Sequence, residues 1–185
     1  EKFPRYLNLP VQSGDNEILK KMKRSYTREV YIKLVEKIKN EMPDIALSTD
    51  TIVGFPEETK KQFQNTVSLY KKIKFDMAYI SEYSERPKTL AAKKYKDNIS
   101  KKEKEERKKI LTEVLSKTAL ENNKKLIGGE KKILADTEKN GRVFGRTEGN
   151  KVIEIEEAKK ELIGEFLTVK ITSATAWKLK GKTLQ

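Results

Sequence analysis

Polar residues at the end of the first apolar run are the first candidates for chemistry. Gln12 and Ser13 close a short strand that the sequence predicts over residues 6–12. In parallel sheets, ligands bind beyond the carboxyl ends of the strands, where an amide and a hydroxyl can donate and accept hydrogen bonds. The alternative is a simple turn in which Ser13 caps the next helix.

A carboxylate inside an apolar run is the second candidate. Asp50 lies in the predicted strand over residues 45–53, and a buried charge must be paired or bound to a ligand. Gly54 follows this strand and would let a planar ligand approach the backbone closely. Arg24, in a predicted loop, suits a carboxylate or a phosphate. The plainer alternatives are a solvent-facing Asp50 at a sheet edge, a turn at Gly54 and an inert surface arginine.

The composition excludes several kinds of catalysis. The 185 residues include no cysteine and no histidine. The chain therefore offers no thiolate nucleophile, no imidazole base and no cysteine ligands for zinc or an iron–sulfur cluster. It has 41 Lys and Arg against 28 Asp and Glu, and the resulting net charge of +13 favours a polyanionic partner, most often nucleic acid. A lysine-rich surface that only keeps the protein soluble would have the same charge.

Strands and helices alternate through the first part of the chain. A third strand is predicted over residues 76–83, and apolar periodicity predicts helices over residues 15–22, 27–42 and 59–74. In the second helix, Val30, Leu34 and Ile38 recur at fourfold spacing beside Tyr31 and Val35, and together they predict an apolar face. Such strand–helix–strand units require a parallel sheet covered by helices. Three strands cannot close a barrel, so we expect them to be part of one.

The chain continues through a predicted loop over residues 84–98 into a long, charged helix. Ser100 and Glu103 predict a capping box at its start, and the helix is expected to run to about Leu126. Residues 88–132 contain 15 basic and 7 acidic side chains. A ridge that binds a nucleic-acid backbone or a solvated helix face would each explain this excess.

Short alternating strands fill the rest of the sequence after Gly129. They are predicted over residues 131–137, 142–147, 151–155, 165–173 and 176–182. Asn140-Gly141 predicts a type I′ hairpin, because both central positions of that turn need positive φ. This pattern predicts a small antiparallel barrel of the OB-like kind, a common platform for nucleic acids. We place the domain boundary near residue 128, which gives domains over residues 1–127 and 128–185.

Four motifs stand in one order along the chain. They are Leu9-Pro10-Val11-Gln12-Ser13-Gly14, Met22-Lys23-Arg24-Ser25-Tyr26-Thr27, Ser48-Thr49-Asp50-Thr51-Ile52-Val53-Gly54-Phe55-Pro56-Glu57-Glu58-Thr59 and Tyr83-Ser84-Glu85-Arg86-Pro87. In order and spacing they resemble the radical-SAM methylthiotransferases, most closely the MiaB-type tRNA enzymes. Gly145-Arg146-Thr147-Glu148-Gly149-Asn150 and Leu162-Ile163-Gly164 resemble the C-terminal TRAM domain of that family.

The resemblance implies a fold and an activity. The fold would be the C-terminal half of a radical-SAM barrel, a partial parallel (β/α) barrel of the TIM type, followed by a small TRAM β-barrel. The family uses S-adenosyl-L-methionine and [4Fe–4S] clusters, one of which is held by a CxxxCxxC loop. It adds a methylthio group to C2 of an adenosine beside the anticodon, which already carries an N6-isopentenyl group in the MiaB case. The expected partner is tRNA, through its anticodon stem-loop.

The absence of that cysteine loop predicts a piece of a longer protein. The first residues, 1–7, are neither a signal peptide nor a start methionine, so an N-terminal domain and the first half of the barrel are expected upstream. The piece alone is expected to be inactive and to hold no metal. No apolar run approaches the length of about 18 residues that spans a membrane, and a cytoplasmic protein is expected.

The resemblance also assigns residues to the cofactor. Gln12 and Ser13 would contact S-adenosyl-L-methionine, Arg24 its carboxylate and Asp50 its ribose hydroxyls. The segment Gly54-Phe55-Pro56 would lie against the adenine. Arg86 would lie near the target base.

Four positions depart from the family pattern. Asn8 replaces the usual histidine, and Glu57 stands where the second glycine of Gly-Phe-Pro-Gly-Glu-Thr is usual. Lys88 and Leu90 stand where Arg-Pro-Gly-Thr-Pro has Gly and Pro. Glu57 costs its loop conformational freedom and adds a charge, which bears on the geometry beside the adenine.

The TRAM segment supplies further candidates for RNA binding. The basic ones are Arg142, Arg146, Lys151, Lys170, Lys178 and Lys180. Phe144 and Trp177 could stack on bases, although barrel-core positions are the alternative for both. Three other functions stay open: a stand-alone RNA-binding module without catalysis, the sister enzyme that acts on threonylcarbamoyl-adenosine, and an unrelated half barrel that binds a phosphorylated metabolite.

Overall fold

The structure, a computed structural model, describes residues 4–184. Residues 1–3, on which the expectation about the start of the chain partly rests, and residue 185 lie outside it. Contacts divide the described residues into two units. One contains Asn8–Pro43 and Leu47–Leu115, and we call it the α/β unit. The other, the barrel unit, contains the described residues up to Leu7, Asp44–Ala46 and the chain from Ser116 onward.

Three strands form the sheet, in the order β1 (Tyr6–Asn8), β2 (Ala46–Val53) and β3 (Met77–Glu82). β2 and β3 pair in parallel, as the alternation of strands and helices predicted. The predicted strand over residues 6–12 is shorter than expected and ends at Asn8. Pro10 explains the early end, because it has no backbone N–H to give to a neighbouring strand. Beyond it, Gln12 returns to the sheet through a single parallel bridge to Thr51.

Three helices follow the predicted segments: α1 (Asn16–Lys21), α2 (Arg28–Glu41) and α3 (Lys60–Ile73). Each begins where a side chain accepts a hydrogen bond from an unpaired backbone N–H of the first turn. These caps are Asp15 for α1, Thr27 for α2 and Thr59 for α3, the last in a reciprocal capping box with Gln62.

The predicted apolar face of α2 is buried at Tyr31 and Val35 but not at Val30 and Leu34. Val30 and Leu34 are 55% and 44% exposed, whereas Tyr31 and Val35 are buried. Successive residues point about 100° apart around a helix, so the two pairs define different faces. Tyr31 selects the buried face, because its ring lies 6.5 Å from that of Phe75 and its hydroxyl donates to the Leu9 carbonyl at 2.7 Å.

The charged stretch forms α5 (Lys101–Lys124), and the predicted loop before it contains one short helix, α4 (Leu90–Lys94). The predicted capping box is half right. The Ser100 hydroxyl accepts from the Glu103 N–H at 3.2 Å, but the Glu103 carboxylate accepts from Arg107 Nη2 at 2.6 Å, one turn further along the helix. No helix in the described part of the chain is long and apolar enough to cross a membrane.

Five strands close a barrel in the order β4-β5-β6-β8-β7. They are β4 (Glu130–Lys139), β5 (Arg142–Thr147), β6 (Val152–Glu156), β7 (Phe166–Ala174) and β8 (Leu179–Thr183). The prediction of a fully antiparallel barrel is wrong at one place, because β6 and β8 pair in parallel. An odd number of strands cannot alternate in direction all the way around a closed barrel, so at least one pair must be parallel.

The barrel is filled by small and aliphatic side chains that point inward along its strands: Ile133, Ala135, Val143, Ile153, Ile155, Val169, Ile171 and Leu179. The hairpin between β4 and β5 is confirmed, since Asn140 and Gly141 have φ of 54° and 74°. Phe144 and Trp177 are outside this core, and Trp177 is 47% exposed. The core alternative for these two aromatic residues is therefore wrong.

Candidate functional site

A cavity of about 560 Å³ opens in the α/β unit. Four of the predicted site residues line it together: Gln12, Arg24, Asp50 and Arg86. They come from three different loops and from the middle of β2. The cavity therefore combines a carboxylate, an amide and two guanidinium groups, which suits a ligand that has both an anionic group and hydroxyls.

Asp50 reaches the cavity because β2 alternates its side chains between two faces. Ser48, Asp50 and Ile52 share one face, and Asp50 and Ile52 are only partly buried while their neighbours are buried. The Asn8 amide donates to Asp50 Oδ2 at 2.9 Å, and Asn8 Oδ1 accepts from the Ser48 hydroxyl at 2.8 Å. Oδ1 of Asp50 has no hydrogen-bond partner among the described residues, so it is available to a ligand.

Gln12 lies in the left-handed region of backbone conformation, with φ of 64°. Its N–H donates to the Asp50 carbonyl at 2.8 Å, and its own carbonyl accepts from the Ile52 N–H at 2.9 Å. A non-glycine residue in this conformation is strained, and the strain persists only where surrounding contacts impose it. Such residues are found most often at functional sites. Two backbone hydrogen bonds to β2 thus fix Gln12 at the wall of the cavity.

Ser13 does not line the cavity. It is fully buried, and its hydroxyl lies 3.5 Å from Thr66 Oγ1 and accepts from the Asp15 N–H at 3.2 Å. The cap of α1 is Asp15 rather than Ser13. The next residue, Gly14, is required by packing, because a Cβ there would lie 2.5 Å from Thr66 Cα. Ser13 thus shapes the turn that carries Gln12.

The Gly54-Phe55-Pro56 segment lies behind the cavity rather than in its lining. Gly54 has φ of 69°, and a Cβ there would lie 2.4 Å from Cγ of Lys104. The close approach that Gly54 permits is therefore made by a lysine side chain. Phe55 is buried with its ring edge-on to that of Tyr83, at 5.1 Å between centroids. Since Tyr83 lines the cavity, Phe55 supports its wall.

The first turns of α5 hold this segment through a buried ion pair that the sequence did not reveal. Arg107 Nη1 donates to Glu58 Oε2 at 2.5 Å, and the Gly54 N–H donates to the same oxygen at 2.9 Å. Both side chains are nearly inaccessible to solvent. Burial raises the pKa of Glu58, while the Gly54 hydrogen bond and the charge of Arg107 oppose that rise. The only hint in the sequence was an acidic residue inside the third motif.

Lys104, one turn before Arg107, packs its side chain against Gly54. Its ammonium donates to Asp97 Oδ2 at 2.5 Å and to the Tyr83 carbonyl at 3.1 Å. Tyr83 was not predicted as a site residue, although it opens the fourth motif. Burial raises the pKa of its hydroxyl, and this oxygen has no hydrogen-bond partner in the described structure. Unpaired buried hydroxyls are costly, so this oxygen distinguishes Tyr83 from the other lining residues of the cavity.

Two of the departures from the family pattern occupy positions of positive φ. Glu57 and Lys88 have φ of 63° and 70°, and both stand where the family usually has glycine. Glu57 is held by Lys21 Nζ at 2.6 Å and by its own N–H, which donates to Asn98 Oδ1 at 2.8 Å. Leu90, the fourth departure, is the first residue of α4. Both positions thus adopt the left-handed conformation although glycine is absent.

The predicted RNA-binding cations are distributed over the barrel unit. Arg142, Lys178 and Lys180 converge on Glu154, whereas Arg146 contacts Asn150 and Asp136. Lys151 Nζ donates to Asn123 Oδ1 at 2.8 Å, which ties the end of α5 to the barrel strands. Lys170 is exposed on β7. In the described residues, acidic side chains form no cluster that could hold a metal ion.

Two segments of the chain match models of known families. Residues 1–70 match the Radical SAM superfamily, and residues 130–184 match the TRAM domain. The second segment coincides with the closed barrel, whose five strands fit an OB-like TRAM domain. The chain therefore combines a segment of the Radical SAM superfamily with a TRAM domain.

Comparison with curated relatives indicates which group of radical-SAM proteins the chain is most similar to. The chain is 43% identical to the tRNA-2-methylthio-N(6)-dimethylallyladenosine synthase of Bacillus cytotoxicus over 97% of its length, and 43% identical to that of Petrotoga mobilis over 100%. It is 42% identical to the synthase of Acetivibrio thermocellus, again over 100%. It spans 36%, 42% and 39% of these proteins, about two fifths of their length. The resemblance that the four motifs predicted is confirmed by these matches, which combine the Radical SAM and TRAM models with 42–43% identity to the synthases over essentially the whole chain.

Proposed function

We propose that the protein carrying this chain adds a methylthio group to C2 of N6-dimethylallyladenosine beside the anticodon of tRNA. The observation that carries the proposal is the 42–43% identity, over 97–100% of the chain, to synthases named for that product. The cavity adds support, because four residues chosen from the motifs line it together. The anticodon stem-loop is the proposed binding partner and the cytoplasm the proposed location.

The cavity residues fit S-adenosyl-L-methionine, which supplies the radical and the methyl group when it is bound. Asp50 would accept from the ribose hydroxyls through its available Oδ1, and Arg24 would bind the carboxylate. Gln12 would donate from its amide, and the unpaired Tyr83 hydroxyl would complete the wall. Ser13 and the Gly54-Phe55-Pro56 segment would act indirectly, by fixing Gln12 and Tyr83. Arg86, at the mouth, would face the target base.

The fold fits a role as part of a larger domain. We propose that the three-stranded sheet belongs to a partial (β/α) barrel of the TIM type, and that residues 1–127 form its domain with α5 included. Residues 128–185 would form the TRAM domain. Because the chain contains no cysteine, ligands for [4Fe–4S] clusters would lie outside these 185 residues.

Deletion of the gene tests the proposed function. Mass spectrometry of nucleosides from total tRNA should show that 2-methylthio-N6-dimethylallyladenosine disappears while N6-dimethylallyladenosine accumulates, and the wild-type gene should restore the product. Loss of the methylthio group from threonylcarbamoyl-adenosine instead would favour the sister activity. Unchanged nucleosides would contradict catalysis and favour the RNA-binding module.

The gene-deletion strain also tests whether Asp50 binds the cofactor. Complementation with Asp50→Ala should restore little product, because a hydrogen bond to a charged group contributes about 1.5–3 kcal/mol and its loss costs about tenfold or more in cofactor affinity. Glu36→Ala, which removes a carboxylate from the exposed surface of α2, is the matched control and should restore the product fully. Equal restoration by both variants would contradict the role of Asp50.

A further inference from the structure

The outer face of the barrel carries one carboxylate among cations. Phe144 on β5 stands opposite Glu154 on β6, and Glu154 stands opposite Lys180 on β8. These three residues point outward, because their neighbours Val143, Ile153 and Leu179 fill the core. Glu154 is only 7% exposed although it lies on the outer face. It is covered by the longer side chains around it.

Three of the predicted RNA-binding cations cover Glu154. Lys178 Nζ donates to Glu154 Oε2, Arg142 Nη1 lies 3.3 Å from Oε1, and Lys180 Nζ lies 3.9 Å from the same oxygen. The hydrogen bond from Lys178 and the charges of all three cations lower the pKa of Glu154, so the carboxylate stays ionised. We call these four residues the Glu154 cluster. It carries three positive charges and one negative charge.

The geometry of the Glu154 cluster is that of an occupied anion site. Three cationic groups, from β5, from β8 and from the turn just before β8, point at two oxygens of one anionic group, which is how phosphates are bound by Arg and Lys. An aromatic surface adjoins the cluster, with Lys178 Nζ 5.7 Å from the centroid of the Phe144 ring. A cation beside an aromatic face is the arrangement that single-stranded nucleic acids use, with a phosphate on the cation and a base on the ring.

We propose that the Glu154 carboxylate occupies the position of an RNA phosphate on the barrel and gives up its cations when RNA binds. The inference rests on the proposed tRNA-binding function and adds a residue that controls it. In the absence of RNA, Glu154 holds Arg142, Lys178 and Lys180 close together. It therefore competes with an RNA phosphate for these cations. The competition weakens binding of isolated anions more than binding of an RNA that contacts the barrel at several points.

Glu154→Gln in the 185-residue chain tests this competition. The probe is an anticodon stem-loop RNA, and its dissociation constant is measured by fluorescence anisotropy over a series of KCl concentrations. We expect Glu154→Gln to bind RNA about tenfold more tightly at low salt. We also expect a steeper dependence of log K on log salt, by about 0.7–0.9 for each additional phosphate contact.

Glu156→Gln is the matched control. Glu156 lies on the same strand and outer face, but it meets one lysine, Lys182 at 3.8 Å, and the hydroxyl of Thr172. A general gain in positive charge would strengthen RNA binding equally in both variants, and equal gains would overturn the proposal. Weaker binding by Glu154→Gln would also overturn it, because the carboxylate would then serve only to order the cations.

Two further measurements keep the test decisive. Circular dichroism checks that Glu154→Gln is folded, and the double variant Glu154→Gln with Lys178→Gln should return the salt dependence to near that of the wild type. A salt dependence that stays steep in the double variant overturns the inference. If the wild-type chain did not bind the stem-loop, the proposed tRNA partner itself would be contradicted. If it bound the stem-loop but Glu154→Gln bound no more tightly, only the proposed competition by Glu154 would be contradicted.

Discussion

Glu57 and Lys88 show how a glycine position can be held by another residue. Both have positive φ, and both stand where the family pattern implied by the motifs has glycine. The sequence identified them as departures but not the contacts that stabilise them. Lys21 and Asn98, which hold Glu57, are distant from it along the chain, so no local pattern could have indicated them.

Backbone strain at Glu57 can be measured by comparing two substitutions. Glu57→Gly and Glu57→Ala both remove the ion pair with Lys21, so the difference between them isolates the cost of the left-handed conformation. That conformation costs a residue with a Cβ about 1–2 kcal/mol, and we expect Glu57→Gly to be about 1 kcal/mol more stable than Glu57→Ala. Urea unfolding of the chain gives both free energies.

The control is the same pair of substitutions at a helical position, where the alanine variant is expected to be the more stable one. Glu36 lies inside α2 on its exposed surface, where glycine is about 1 kcal/mol worse than alanine. Glu36→Gly should therefore be less stable than Glu36→Ala. If Glu57→Ala proved as stable as Glu57→Gly, the strain at residue 57 would be negligible and its loop would owe its shape to the Asn98 contact.

Residue types predicted the polar lining of the cavity better than its walls. Asp50 was identified because a charge interrupts an apolar strand, and Gln12 because it follows a strand end. Tyr83, whose hydroxyl lacks a partner, could not be distinguished from an ordinary aromatic residue of a strand. Gly54 was expected to admit a ligand, but the side chain that approaches it is Lys104, from a helix about 50 residues further along the sequence.

At the scale of elements, the start of α5 is joined to the segment after β2 by one buried ion pair. Removing Arg107 leaves Glu58 buried without its partner, which costs about 3–5 kcal/mol. We therefore expect Arg107→Met to destabilise the chain by about that amount in chemical denaturation. The double variant Glu58→Gln with Arg107→Met should recover most of the loss, because the uncompensated charge is gone.

An exposed pair on the same helix is the control for that experiment. Lys101 lies 3.8 Å from Glu105, and both side chains are more than half exposed. Lys101→Met should change the stability by no more than about 0.5 kcal/mol. A loss from Arg107→Met as small as this, or a double variant no more stable than the single one, would show that the ion pair does not hold the segment.

Element boundaries followed from local chemistry, whereas the exact buried face of α2 and the direction of one barrel strand did not. The helix starts predicted at residues 27 and 59 and the Asn140-Gly141 hairpin depend on neighbouring residues alone, and all three are confirmed. The buried face of α2 depends on Phe75, which is far along the chain. The parallel pairing of β6 with β8 depends on closure of the whole barrel, which alternating hydrophobicity does not encode.

At the scale of the whole molecule, the complete lack of cysteine predicts how the chain behaves with iron. Iron–sulfur clusters are held by cysteine thiolates, with histidine as an occasional replacement, and this chain has neither residue. Anaerobic incubation with ferrous iron, sulfide and reductant, followed by desalting, should therefore leave no bound iron and no charge-transfer absorption. Iron retained in a stoichiometric amount would contradict the expectation. Chain-bound chromophore would mean that carboxylates alone hold a cluster here, and the proposal that cluster ligands lie outside these 185 residues would fail with it.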